Sequence, residues 1–518
     1  MKIVILGGGF GGIYTLKYLH KFFHGYTRTN ANSTQTDANK VNTRTNANPE
    51  PRRVQDHEPS SALVHGLTRT DANNNETRLH TPRQGTRQNK VKLVLVNKKN
   101  YFIFTPLLHE VATGGVSLDN ALEPVREIIK CCDFDFVHGK VEKIDLENRV
   151  VYVNTDKENY KIDYDYLVIA LGSKTNYYGI TEAKEYSYPL KTIDDAIRLK
   201  NHFVHMFELA SLYPEKAKSY LTFVIVGGGA TGVEIAGEMS DLFYKSFSKL
   251  YPPALISQVK IILIERGKEL IPQFSPKLRQ KALARLKKLK VDVILEKGVI
   301  EVGENFIKLD DGSIIETKTV IWTAGVEPNL PEIVGNVEKD NKERLILNEY
   351  LQVKKKVNAE LTERTQNLQN NTQKGAELTR NSQKNSESSD SSASVQHSSA
   401  YENVFAIGDI CCFIQNEKPL PQLAQVAVRQ AKTIAVNIKN SIENKPLEKF
   451  VYKHTGDLIS VGKFYALGEI KGIEFSGLII WFIWKGVYLS KMISFRDQVK
   501  TFIDWILNLF LPRDITEL

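Results

Sequence analysis

Cysteine is scarce in this chain. There are four in 518 residues, set as the adjacent pairs Cys131-Cys132 and Cys411-Cys412. So few, with no C-x-x-C spacing, exclude a disulfide framework and offer no spaced Cys/His set for zinc. The expectation is reduced thiols and no metal site. Long apolar runs are missing as well. The best stretch, Gly477–Ile493, is interrupted by Lys485, and no clean run reaches the roughly 18–20 residues that a membrane span requires. The N-terminus, MKIVILGGGFGG, passes from a short apolar stretch straight into glycines, unlike a secretory signal. The net charge of +9 suits an anionic surface or an acidic ligand without choosing between them. No nucleic-acid motif accompanies it, so no nucleic-acid partner is expected.

Two segments are poor in apolar residues. Residues 26–90 are rich in Asn, Thr, Arg and Gln and carry a degenerate repeat, TRTNAN at Thr27, TRTNAN at Thr43 and TRTDAN at Thr68. Residues 358–399 are a tract of Gln, Asn, Ser and Thr. Neither can offset the entropy of ordering by apolar burial, so both are expected to be disordered surface insertions. Without them a regular alternation appears. Strand Lys2–Leu6, a glycine loop and helix Ile13–Phe23 lead to strand Val91–Val96. A second copy follows as strand Leu221–Val226, a glycine loop, helix Gly232–Phe243 and strand Lys260–Glu265. This alternation predicts an α/β fold with parallel sheets. It contains two Rossmann-type dinucleotide-binding domains followed by a C-terminal amphipathic helical segment.

The first glycine loop is Gly7-Gly8-Gly9-Phe10-Gly11-Gly12, a G-x-G-x-x-G. In such a loop Gly7 makes the tight turn, Gly9 lets backbone approach a pyrophosphate, and Gly12 lets helix and strand pack closely. The phosphates then meet free N–H groups at the helix N-terminus. Gly227-Gly228-Gly229-Ala230-Thr231-Gly232 repeats the pattern. One such loop is a weak signal. Two, each flanked by strand and helix, imply two dinucleotides, and a flavin with a nicotinamide is the obvious pair. The residue closing the second strand of each unit reads the adenosine ribose. Glu265 there accepts from a 2′-hydroxyl and repels a 2′-phosphate, which favours NADH over NADPH. Arg266 beside it works the other way. In the first unit the position falls on Asn97, where an acidic residue is usual.

Further motifs sharpen the reading. Leu167-Val168-Ile169-Ala170-Leu171-Gly172, Trp322-Thr323-Ala324-Gly325 and Val404-Phe405-Ala406-Ile407-Gly408-Asp409 resemble the two-dinucleotide-domain flavoprotein reductases. Within them the chain resembles the type II, single-subunit, non-proton-pumping NADH:quinone oxidoreductases. The narrower likeness rests on Phe104-Thr105-Pro106-Leu107-Leu108 with His109-Glu110-Val111-Ala112-Thr113-Gly114, on Gly232–Glu238, on Ala424–Gln430 and on the aromatic tail. It implies FAD on a domain made of residues 1–25, 91–193, 326–357 and 400–446, with Asp409 near the ribityl-phosphate part. It implies NADH on residues 194–325 and a membrane-association region at 447–518. The cofactor contacts it points to are Gly7, Gly9, Phe10, Gly11, Gly12, Asn97, Thr105, Gly172 and Asp409 for the flavin. For the nicotinamide they are Gly227, Gly229, Ala230, Thr231, Gly232, Glu234, Glu265, Ala324 and Gly325. Gln425 and Gln430 belong to the family's Ala-Gln-x-Ala-x-Gln-Gln motif beside the flavin and quinone, although Arg429 replaces the first of its closing pair. Catalytic roles are expected for Glu234, Gln425 and Gln430. Glu234 is the candidate for proton relay or nicotinamide positioning, against a solvated first-turn carboxylate.

The tail reads GLIIWFIWKGVYLSKMISFRDQVKTFIDWILNLFL from Gly477. Asp504 and Asn508 mark the polar side of its second helix. Trp481, Trp484, Tyr488 and Trp505 suit an interfacial belt, and Lys485, Lys491, Arg496 and Lys500 suit anionic lipid. The resemblance implies a peripheral protein on the cytoplasmic side of the cell membrane, with a ubiquinone or menaquinone as acceptor. Its members often pair through this region, so a homodimer is compatible with membrane contact. Three other readings compete. A sulfide:quinone reductase needs spaced redox cysteines, a soluble NADH oxidase or ferredoxin reductase needs no such tail, and an NADH-binding signalling protein would have vestigial catalysis.

Overall fold

The computed structural model describes residues 1–24, 91–129, 134–356 and 400–517. Both low-complexity segments and the Cys131-Cys132 pair lie outside the described residues. Strand β1 (Lys2–Leu6), helix α1 (Phe10–Phe23) and strand β2 (Lys92–Asn97) open the chain. The short helix α2 (Leu108–Ala112), then β3 (Phe134–His138) and β4 (Tyr166–Ile169) complete the first pass. Strand β5 (Tyr188–Pro189), the long helix α3 (Ile193–Leu212), β6 (Thr222–Val226) and α4 (Ala230–Asp241) follow. Strands β7 (Lys260–Glu265), β8 (Val291–Leu295) and β9 (Thr319–Trp322) close the second unit. The chain then returns through β10 (Gln352–Lys354), β11 (Ala400–Ala406) and helix α5 (Ala424–Ile442).

Two sheets result. The first has the order β10-β11-β4-β1-β2-β3, parallel except for the antiparallel edge strand β10. The second has the order β5-β9-β6-β7-β8 and is parallel throughout. The sequence explains the choice. β6 is Thr-Phe-Val-Ile-Val, buried at every residue, and such continuously buried runs rich in β-branched residues fit a parallel sheet covered on both faces. β1 sits between β2 and β4, and β6 between β7 and β9, so each glycine loop leaves a central strand. Packing of α1 on α5 shields one face of the first sheet.

The tail forms a three-stranded antiparallel sheet, β12 (Gly456–Ser460), β13 (Ala466–Ile470) and β14 (Ile473–Gly477), then helices α6 (Leu478–Lys491) and α7 (Phe495–Phe510). Among the described residues no helix is long and apolar enough to cross a membrane.

The polar side of α7 faces the protein. Asp504 Oδ2 accepts from Ser117 N at 2.8 Å and Asn120 Nδ2 at 2.6 Å, and Asn508 Nδ2 donates to the Gly115 carbonyl at 2.8 Å. Trp481, Trp484 and Trp505 are buried, so they do not form an outer belt. Lys485 is turned inward too. Its ammonium bonds Glu110 Oε1 at 3.2 Å and lies 3.9 Å from the centre of the Trp505 ring. The exposed face is the apolar one. Phe502, Ile503, Ile506 and Leu507 are about half exposed, and Phe510 is 79% exposed. Phe482 and Ile479 of α6 are exposed as well.

Candidate functional site: two dinucleotide cradles and a buried charge cluster

Both glycine loops show the same geometry. Gly7 has φ +103°, and a β-carbon there would lie 2.3 Å from the Ala170 carbonyl oxygen. Gly227 has φ +109° and is crowded by Ala324 N at 2.8 Å. A β-carbon on Gly12 would lie 1.8 Å from Gly7 O, and on Gly232 1.9 Å from Gly227 O, so helix and loop touch as the spacing requires. Gly9 and Gly229, in contrast, face open space. They are the N-caps of α1 and α4, with no side-chain cap on either helix. The first N–H groups of both helices are thus free to receive an anion.

The second glycine of each loop carries a feature that spacing alone did not reveal. Gly8 N donates to Asn97 Oδ1 at 2.8 Å, and Gly228 N donates to Glu265 Oε2 at 2.6 Å. The residue ending the second strand therefore holds the loop in both domains. Asn97 serves this purpose as well as a carboxylate, since only an acceptor is needed, and its own amide donates to Lys99 O. Glu265 is further fixed by Gly267 N at 2.6 Å.

Around the first loop lies a cavity of about 540 Å³ lined by Gly7, Gly9, Asn97, Gly172 and Asn329 among others. Asp409 stands at the end of β11, where Ser173 Oγ donates to its Oδ2 at 2.6 Å and Lys191 Nζ lies 3.6 Å away. Ser173 and Lys191 were not anticipated; both follow the Leu167–Gly172 strand that was. Phe10 turns aside to pack edge-on against Phe102, and Gly11 packs against Ile407. Thr105 is exposed at the start of a 3-10 turn. At the second loop, Ala230 and Thr231 form the first turn of α4. Trp322 Nε1 donates to the carbonyls of Asn176 and Ala324, holding the Ala324-Gly325 turn beside Gly227.

On α5 the family glutamines part company. Gln430 is buried and its Oε1 accepts from Gly408 N at 2.9 Å, so it braces the turn that carries Asp409. Gln425 Nε2 reaches Asp457 Oδ1 at 3.4 Å. Arg429 is not paired with Gln425. It donates to Lys453 O and Thr455 Oγ1 and stacks on Tyr452. Cys411 and Cys412 are buried free thiols, and burial holds both above the usual thiol range, so neither is primed for thiolate chemistry.

Glu234 is not a solvated helix-start residue. It is buried, and its Oε1 accepts from Ser460 N of β12 at 3.4 Å. His109 Nδ1 lies 3.8 Å from its Oε2. Burial raises the Glu234 carboxyl well above the ordinary carboxylate range, and nearby Glu110 and Glu238 push the same way. Burial lowers His109 below the ordinary imidazole range. One turn on, Glu238 Oε2 binds Arg513 Nη2 at 2.5 Å. Trp505 Nε1 donates to Glu110 Oε2 at 2.7 Å. The cluster thus joins α2, α4 and the tail. Its signal in the sequence was the His109–Gly114 motif, but the partners lie about 400 residues away.

Comparison with known proteins agrees with this geometry. Residues 1–358 match the pyridine nucleotide-disulphide oxidoreductase family, and residues 454–514 match the NDH2 C-terminal domain. The chain belongs to this family, among its type II NADH:quinone oxidoreductases. A probable NADH dehydrogenase of Dictyostelium discoideum is 30% identical over 82% of this chain and 86% of that protein. A type II NADH:quinone oxidoreductase of Mycobacterium tuberculosis is 29% identical over 82% of this chain and 84% of that one. In fold, an NDH2 from Plasmodium falciparum in complex with NADH superposes with TM-score 0.73 at 19% identity, covering 99% of both chains. A sulfide:quinone oxidoreductase from Aquifex aeolicus aligns less well, with TM-score 0.60. The α/β class and the twin Rossmann units expected from the alternation are those of this family of reductases.

Proposed function

We propose that this protein oxidises NADH and delivers the electrons to a quinone at a membrane surface without moving protons across it. The observation that carries the reading is the pair of matched cradles, each with an open glycine facing a free helix N-terminus. The residues of the first cradle fit FAD. Gly9 leaves room for the pyrophosphate, Asn97 fixes the loop, and Asp409, held by Ser173 and Lys191, suits the ribityl-phosphate part. When bound, FAD supplies the hydride-accepting and two-electron-donating chemistry. NADH suits the second cradle, where Glu265 offers a carboxylate beside the loop. A 2′-phosphate would meet that charge unfavourably. Glu234 holds a proton at its carboxyl over a pH range where an exposed glutamate has lost it, which fits it to serve a reaction that consumes protons.

The acceptor reading draws on the tail. A helix with its polar side inward and its apolar side outward requires a cover, and contiguous exposed apolar patches of this kind mark interaction surfaces. The occupant that fits a quinone reductase is the bilayer interface, where the quinone dissolves. On this reading the protein is peripheral, on the cytoplasmic side of the cell membrane. The test is spectroscopic. Purified protein is expected to be yellow, NADH is expected to bleach it far faster than NADPH, and equal rates with both nucleotides would overturn the Glu265 assignment.

A further inference from the structure

The chain beyond α7 does not trail off. Arg513 turns back into the protein, and its side chain is only 11% exposed. Nη1 donates to Thr113 Oγ1 at 2.9 Å and Nη2 to Glu238 Oε2. The adjoining Asp514 carbonyl lies over Gly114, whose φ of +66° and missing side chain make the room. Glu238 and Glu234 are one turn apart on the same face of α4, where side chains four residues apart are neighbours. Both are buried. The last residues of the tail therefore set the charge balance beside a carboxyl that sits at the start of the nicotinamide-domain helix.

We propose that Arg513 is a positioning residue, acting through Glu238 to control whether Glu234 holds a proton during turnover. This rests on the reading that the Glu234 carboxyl takes part in quinone reduction. The groups facing Glu234 are His109 and Glu110 from α2, Glu238 from α4, Ser460 N from β12, and Tyr488 from α6. Lys485 is engaged by Glu110, and His109 is held neutral by burial. Glu238 is thus the anion whose effect on Glu234 depends on the strap, because its partner is Arg513. A guanidinium cannot neutralise itself by losing a proton. Removing the Glu238 charge takes away an anion that opposes ionisation of Glu234 and leaves the buried Arg513 cation without its partner one turn along α4, so Glu234 gives up its proton more readily.

The sign is distinctive. Glu238→Gln keeps the shape and an acceptor for Arg513, yet is expected to move the alkaline limb of quinone reductase activity about one pH unit or more toward acid. Glu238→Gln with Arg513→Gln removes both charges and is expected to bring the limb back toward wild type. Arg513→Lys keeps the charge and is expected to titrate as wild type. A second readout needs no turnover: the C=O stretch of the protonated carboxyl in infrared difference spectra across the same pH range, identified as the band that Glu234→Gln abolishes. It is expected to titrate in step with the limb in each variant. If Glu234→Gln leaves both limb and band unchanged, the role given to Glu234 is wrong. If it removes them but Glu238→Gln titrates as wild type, or the double variant titrates as Glu238→Gln does alone, the proposal for Arg513 is wrong.

Discussion

Replacing Gly114 by alanine is expected to unseat the C-terminal strap. Two penalties coincide at this glycine. Its φ of +66° is left-handed backbone, which costs a residue with a β-carbon about 1–2 kcal/mol. The new carbon would also lie 2.3 Å from the Asp514 carbonyl oxygen, a backbone atom that cannot rotate away. Overpacking of this kind adds about 1–3 kcal/mol. The sum, roughly 2–5 kcal/mol, is comparable with one or two of the Arg513 hydrogen bonds at about 1.5–3 kcal/mol each. Enough strain is available to break part of that set, so residues 511–517 are expected to loosen. Two other glycines separate the terms. Gly472 has φ +79° with nothing within 4 Å, so alanine there meets only the backbone cost. Gly115 has an ordinary φ and its nearest contact is the Glu110 carbonyl at 3.4 Å, so alanine there is expected to be mild. Thermal denaturation ranks the three, and amide hydrogen exchange reports whether the strap has opened. A Gly114→Ala protein no less stable than Gly472→Ala, with the strap still protected, refutes this account of the strap.

Other substitutions test other parts. Glu265→Ala removes the acceptor for two backbone amides and the charge that opposes a 2′-phosphate. It is expected to lower the ratio of kcat/KM for NADH over NADPH by about tenfold or more, and an unchanged ratio counts against the ribose assignment. Asn97→Leu strands the Gly8 N–H at a cost of about 1–3 kcal/mol, so more of the purified protein is expected to lack flavin, while Asn97→Asp keeps the acceptor and is expected to retain it; absorbance against protein content measures both. Phe502→Ser, Ile506→Ser and Phe510→Ser together remove apolar side chains that are about half exposed or more. At roughly 1 kcal/mol for each half-exposed group, liposome partitioning is expected to fall by about 100-fold with NADH oxidation by a soluble acceptor intact; undiminished sedimentation with liposomes would show that another surface binds.

The alternation of strand and helix made both Rossmann units legible, because buried parallel strands and glycine turns leave a local record. The pairing of Asn97 with Gly8 was not legible, although the position was. An asparagine there looks like a departure until the geometry shows that one lone pair is what the loop requires. The tail was legible in composition but not in orientation. Asp504 and Asn508 read only as the polar side of α7, and they bond Ser117, Asn120 and Gly115, while Lys485, read as a cation for anionic lipid, is paired with Glu110. Helical periodicity reports that two faces differ. It cannot say which faces inward when the outer medium is itself apolar. Glu234, likewise, reads either as a proton relay or as a solvated first-turn acid, and its burial against β12 removes the second reading.

The central claim is that one bound flavin links NADH to a quinone dissolved in a bilayer. Anaerobic stopped-flow absorbance of the holoprotein tests it directly. NADH is added first, and liposomes with or without a long-chain quinone are mixed in afterwards. The account predicts rapid bleaching by NADH, no recovery with plain liposomes, and full return of the oxidised spectrum with quinone-loaded ones. A flavin that NADH bleaches but that quinone-loaded liposomes leave bleached would contradict it.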